Sequence, residues 1–277
     1  MLCKVMEVSR SRYYQYLKKI NLPPSKKELV LICEVKELDK LSRHSYGSRQ
    51  ISRNLKAKGY SVGRYAARTL MHKAGVVCQQ RRRFKVTTDS KHSLYVAKNK
   101  LARQFSVSSP NKVWVTDISY LWTAQGWLYI AGVLDLFSRR VVGWAIESYM
   151  RSELIENALR MALGRRKPES GLMHHSDRGI QYACNDYQKL LESAGITVSM
   201  SRKGNCWDNA VMERFWGSLK SERTNRKIYA TKEEAKADVI DYIEMFYNSR
   251  RLHSTLNYVS PINFENQFRS KNLSTFT

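Results

Sequence analysis

Three carboxylates in this 277-residue chain each sit in a distinctive local setting. Asp117 lies inside an apolar extended run, KVWVTDISYLW. Asp177 closes a second, GLMHHSDRG, and Glu213 falls in the helical stretch DNAVMERFWGSLKSE, with 35 residues between the last two acids. Carboxylates on two strands and a helix can converge on one point. Converged hard oxygens bind Mg²⁺ or Mn²⁺, and two such ions can drive displacement at a phosphodiester. An Asp inside an apolar strand is costly unless paired or metal-bound, which makes Asp117 the hardest to read as incidental. Asp177 also fits a turn before Arg178-Gly179, and Glu213 also fits an exposed helix position. Asp135 reads as a strand-end acid that a hydrogen bond can satisfy, and Asp208 as a loop or cap residue. Glu213, Gly217 and Lys220 share a helix face, so Lys220 can meet a phosphate beside a metal-holding Glu213.

Positioning these acids requires strands and a helix in one sheet-based unit, and the residues after Ser109-Pro110 supply them. Runs 112–122, 127–137 and 140–147 are β-branched and aromatic, with turns at Gln125-Gly126 and Ser138-Arg139-Arg140. They predict an antiparallel meander. A helix from Ser152 to near Gly164, a strand 171–176, a helix 184–194 and a strand 196–200 follow. The polar loop SRKGNCWDN precedes the Glu213 helix. Thr231 and Glu234 form a capping box for a last long helix, 232–248. The expected class is α/β, a mixed sheet flanked by helices.

The first part of the chain differs in kind. Net charge is +24, and residues 1–110 carry 25 Lys and Arg against 6 Asp and Glu, whereas the remainder carries 23 against 18. A polyanion is the natural partner of such a segment. Residues 1–24 predict a short helical segment ended by Pro23-Pro24. Residues 25–78 predict helices over 25–43, from a Ser48 cap to Gly59, and through Ala66, Ala67 and Leu70 to Gly75. The last two helices and their turn form a helix-turn-helix pattern with Arg49, Arg53, Arg64 and Arg68 outward, expected to bind DNA. Residues 79–107 form a basic linker whose Arg81, Arg82, Arg83 and Lys85 would track phosphates. The catalytic unit is expected over 108–268.

Five scattered cysteines without a CxxC pair argue against a disulfide framework or a cysteine zinc site. His44 and His72 lack the cysteine partners of a zinc module. With no signal-like start and no apolar run of membrane-spanning length, a cytosolic location is expected, with no membrane partner.

Taken together, YGSRQI…LMHKAGV, WVTDISYL, HHSDRGIQY, MSRKGNCWDNAVMERFWGSLKSE and YNSRRLHSTLNYVSP resemble the transposases of insertion sequence 3 elements, specifically their second-reading-frame product. The resemblance spans nearly the whole chain. It implies a ribonuclease-H-like integrase core and an Asp-Asp-Glu metal site of Asp117, Asp177 and Glu213, with Lys220 beside it. It further implies cleavage and strand transfer at the element's ends in the bacterial cytosol, on terminal-repeat and target DNA, by an oligomer of this chain. A first-frame product, encoded upstream and joined by frameshifting, is the implied protein partner. The competing expectations are a catalytically inactive DNA-binding regulator or element remnant, and a recombinase using Tyr258 near Arg250, Arg251 and His253.

Overall fold

The computed structural model describes residues 2–21, 23–78, 96–202 and 206–274. The chain forms two compact units, Met1–Cys78 and Gln79–Thr277. The basic run Arg81, Arg82, Arg83 and Lys85 lies outside the described residues. No described helix is long and apolar enough to cross a membrane.

The first unit is all helical. Helices α1 (Leu2–Val5) and α2 (Arg10–Asn21) precede the proline pair. Helix α3 (Lys26–Leu41) starts where Ser25 Oγ accepts from the Glu28 amide at 3.2 Å. Its inward face is Val35 and Leu38, while Leu29 remains 49% exposed. Helices α4 (Ser48–Ala57) and α5 (Arg64–Lys73) follow. Ser48 is the first helical residue rather than the cap. Gly47 takes the cap position, and its amide donates to Gln50 Oε1 at 3.1 Å. Ile51, Leu55, Ala67, Leu70 and Met71 bury against one another's helices, and Ser52 Oγ donates to the Val62 carbonyl at 2.7 Å to hold the turn. Ala66 points outward with Arg49, Arg53, Arg64 and Arg68.

The second unit is built on a five-stranded sheet of order β3-β2-β1-β4-β5. Strands β1 (Val113–Thr123), β2 (Gly126–Asp135) and β3 (Val141–Glu147) form the meander. Helix α6 (Ser152–Arg166) leads to β4 (Met173–Ser176), which pairs parallel with β1. Helix α6 passes Gly164 because a mid-helix glycine costs only about 1 kcal/mol. It ends instead at Lys167, in the left-handed region. A short helix, α7 (Ile180–Ala183), comes before extended Cys184, and α8 (Asn185–Ser193) is the helix expected over 184–194. Strand β5 (Thr197–Met200) pairs parallel with β4.

Helix α9 (Ala210–Glu222) carries Glu213, and α10 (Lys232–Asp241) opens with Thr231 Oγ1 accepting from Glu234 N at 3.1 Å. The helix expected over 232–248 is not regular throughout. From Tyr242 to Tyr247 it widens into a π turn, which puts Tyr242, Ile243, Phe246 and Tyr247 all inward. A further helix, α11 (Pro261–Ser274), was not anticipated. It is held through Glu265, which bonds Arg166, Arg140 and Ser138.

Alternation along the strands sorts the core into two layers. Val115, Leu121, Leu128, Ile130 and Leu134 face α9, α10 and the π turn. Trp114, Ala131, Val133 and Val142 face α6 and α8. This is the mixed sheet flanked by helices expected from the sequence, and it fits the ribonuclease-H-like core that the resemblance implies. Two glycines set its spacing. A Cβ on Gly143 would meet the Ala158 carbonyl at 2.2 Å, so α6 lies directly on the strand backbone. A Cβ on Gly132 would meet the Trp216 ring at 3.1 Å and Met212 Cε at 3.3 Å, so α9 presses close to β2.

Candidate active site

The register explains why the two aspartates meet. The β1–β4 ladder ends at Val115 paired with His175. Two residues beyond this last pair stand Asp117, still on β1, and Asp177, just past the end of β4. Asp117 pairs across β2 with Gly132, the residue that admits α9. Residues opposite each other in an antiparallel pair share a face, so Asp117 lies on the α9 side of the sheet. Met212 and Trp216 pack over Gly132, and Glu213 on the same helix comes near enough for its charge to act on Asp117.

Electrostatics report the convergence. Burial, then the charge of Asp177, then that of Glu213, hold the Asp117 carboxyl well above the usual carboxylate range, with the Ile118 amide and Lys220 opposing them. Burial also raises Glu213. Lys220 is lowered by burial and partly restored by Asp117, and its Nζ stands 4.9 Å from the Tyr120 ring centroid. Asp177 keeps its turn role as well: its Oδ1 accepts from the Gly179 amide at 2.8 Å. The four groups thus share one electrostatic neighbourhood, opening into a cleft of about 460 Å³ bounded by Asp117 and Asp177.

Neighbouring polar residues hold the elements in place. Ser199 Oγ accepts from the Lys100 and Leu101 amides, so its proton goes to His175 Nδ1, 2.9 Å away. The His175 Nε2–H then donates to Ser201 Oγ at 3.2 Å. Burial lowers His175 to about 4 despite Asp208, and lowers His174, with help from His175, to about 3. Both are therefore neutral core residues of β4.

Asp208 is more than a loop residue. It is fully buried and accepts from Arg202 N at 3.0 Å, Arg103 Nε at 3.1 Å and Asn99 Nδ2 at 2.8 Å. Burial raises its pKa, but the bonds from Arg202 and Arg103 outweigh that and leave it below the usual range. The next residue, Asn209, donates from Nδ2 to the Thr116 carbonyl at 3.0 Å and so ties the start of α9 to the residue before Asp117. The sequence reading passed over Asn209; its one visible signal was the polar Asp-Asn pair at the foot of an apolar helix. The far end of α9 is tied by Glu222, which accepts from Arg251 Nη2 at 2.6 Å and from Tyr242 OH at 2.7 Å. Arg251, a residue that tempts a recombinase reading, is thereby committed to Glu222. Asp135 is satisfied by the Asn111 and Phe137 amides at 2.7 and 2.8 Å, as a strand-end acid should be.

The donor set suits hard divalent cations. A carboxyl such as Asp117, raised by burial and by two neighbouring carboxylates, is relieved by a nearby positive charge. Asn209 adds an amide oxygen, Oδ1, that is buried without a hydrogen-bond partner among the described residues. Among those residues no group of three His, Cys, Asp or Glu side chains is arranged to hold one ion. Mg²⁺ takes only one or two carboxylates from a protein and fills its shell with water and substrate phosphate, so pairs of acids suffice.

Of the other predicted site residues, Arg49, Arg53, Arg64 and Arg68 stand on α4 and α5 of the first unit.

Comparison with known proteins gives a consistent picture. The Integrase core domain family matches residues 107–206 and again 194–261, and an HTH-like domain family matches residues 25–84. The "Insertion element IS600 uncharacterized 31 kDa protein" of Shigella sonnei is 41% identical over 96% of this chain and 98% of its own length. "Transposase InsF for insertion sequence IS3A" of Escherichia coli (strain K12) is 36% identical over 96% of this chain and 93% of its own. Among solved structures, the HTLV-2 integrase catalytic core in complex with magnesium is similar at 15% identity and a TM-score of 0.45, over 57% of this chain and 97% of that one.

Proposed function

The chain belongs to the transposase family of the IS3 insertion sequences, and from that premise we propose that it cleaves the ends of such an element and transfers them into target DNA. Asp117, Asp177 and Glu213 are the catalytic acids of this reading. The single observation that carries it is Asp117, half-buried on the central strand β1 and held above its ordinary pKa by desolvation and then by the charges of the other two. When bound, two Mg²⁺ or Mn²⁺ ions supply an activated oxygen nucleophile and charge relief on the leaving 3′-oxygen.

The chain's own residues do the rest. Asp117, Asp177 and Glu213 would hold the ions. Gly132 and Asn209 keep Glu213 against the sheet. Lys220 offers a cation to a phosphate at the lip of the cleft. Arg49, Arg53, Arg64 and Arg68 hold DNA through phosphates, together with Arg81, Arg82, Arg83 and Lys85. Terminal-repeat and target DNA are the partners. Joining two ends calls for more than one copy of the chain, and a first-frame product fused upstream would add end recognition.

Asp117→Asn, Asp177→Asn and Glu213→Gln are each expected to lower strand transfer by at least a thousandfold while DNA binding by gel shift is retained. Strand transfer persisting in any of them with Mg²⁺ present would overturn the assignment. A wild-type chain that binds DNA yet never cuts it, with or without the upstream product, would favour the regulator reading.

A further inference from the structure

The cleft beside the acids is not lined as a phosphate site would be. Its walls include Tyr120, Trp127, Tyr129, Met150 and Ile180, together with Gln181 and the buried Tyr182. Trp127 is 45% exposed, Met150 46% and Ile180 52%. Such a cluster of large apolar side chains left open to water marks a binding surface. The volume falls in the range that encloses a small ligand.

Resting on the catalytic reading above, we propose that this cleft receives an unpaired nucleobase from the nucleotide at or next to the scissile phosphate. Three observations select that occupant. Asp117 and Asp177 are walls of the cleft, so a group entering it lies beside the acids at which the scissile phosphate is proposed to sit. The rings are already set edge to face, Tyr120 to Trp127 at 5.2 Å and Trp122 to Trp127 at 4.9 Å, leaving ring surface for a base to stack on. Lys220 over Tyr120 places a cation where the backbone of that nucleotide would pass. A base still stacked in a duplex cannot enter, so occupancy requires unpairing at the end. Aromatic stacking tolerates any base, and the Gln181 amide can read its edge as both donor and acceptor.

The test compares two probes of equal length and charge: a duplex ending in a two-nucleotide 3′ adenine overhang, and the same duplex with abasic overhang positions. Binding of the full chain is measured by fluorescence anisotropy in Mg²⁺. The adenine overhang should bind about tenfold tighter, and Trp127→Ala should erase the difference while leaving affinity for the abasic probe unchanged. Met150→Glu, in an irregular segment where it cannot disrupt the sheet, should erase it too. Equal binding of the two probes by the wild type, or a difference surviving in Met150→Glu, would overturn the proposal. That failure is distinct from a failure of the catalytic reading, which would show instead as strand transfer by Asp117→Asn.

Discussion

At the scale of single residues, the acids that suit this site to chemistry are a burden on its stability. An aspartate whose folded-state pKa lies above its unfolded value costs nothing while protonated in both states. It costs most once pH exceeds the folded value. At neutral pH, in EDTA, Asp117→Asn should therefore raise Tm by a few degrees, as read by thermal melting. Mg²⁺ should raise Tm of the wild type and have little effect on the variant. His174 gives the opposite dependence. Burial lowers it to about 3, so between about 3 and 6.5 the unfolded chain binds the extra proton and stability falls as pH falls. By pH 5 the loss should be on the order of 2 kcal/mol, measured by urea denaturation. His174→Gln can still accept from Tyr187 OH and should flatten the slope.

At the scale of elements, the site depends on how closely helices approach the sheet. Gly132→Ala pushes Trp216 and Met212 outward by a few tenths of an ångström, an overpacking cost of about 1–3 kcal/mol. Because α9 moves with them, strand transfer should fall further than stability does, by tenfold or more. Gly143→Ala should be the worse folding defect, since its clash is with the backbone of α6. Urea melts and strand-transfer rates of the two variants separate these effects. Much of this architecture was legible in the sequence. Alternating apolar runs marked the meander, helical spacing of apolar residues marked α3, and a capping box marked α10, because those signals are local. Gly132 and Asn209 were not legible, since a glycine in a strand and an amide before a helix gain meaning only from what packs against them. The π turn was hidden for a similar reason: its four inward side chains keep a helical pattern by eye. Helix α11 was missed because its sequence, PINFENQFRSKNLS, shows little apolar periodicity, and a buried carboxylate anchors it to the sheet. Asp117 stood out because an acid in an apolar strand has few innocent explanations, whereas Asp208 hid a buried ionic cluster behind an ordinary loop composition.

At the scale of the whole molecule, charge and chemistry are divided along the chain. The basic excess lies in the first 110 residues and the acid cluster in the remainder. Binding to non-specific duplex should weaken with salt at a slope of about −0.9 per neutralised phosphate. Replacing Arg49, Arg53, Arg64 and Arg68 together by Ala should reduce that slope by about 0.9 for each one that meets a phosphate. Filter binding across a salt series measures it, and an unchanged slope would remove these four from the interface. The ion pair between Glu222 and Arg251, with Glu265 on Arg166, means that residues near position 260 complete the framework around α9 and β3. On the proposed function, a ribosome working from the N-terminus releases the DNA-holding part early and the cutting centre late. A nonsense mutation between about positions 110 and 250 is then expected to leave a product that occupies DNA without cutting it, and a gel shift with residues 1–110 alone checks this: no shift would remove the idea that a decaying gene copy supplies an inhibitor of intact ones.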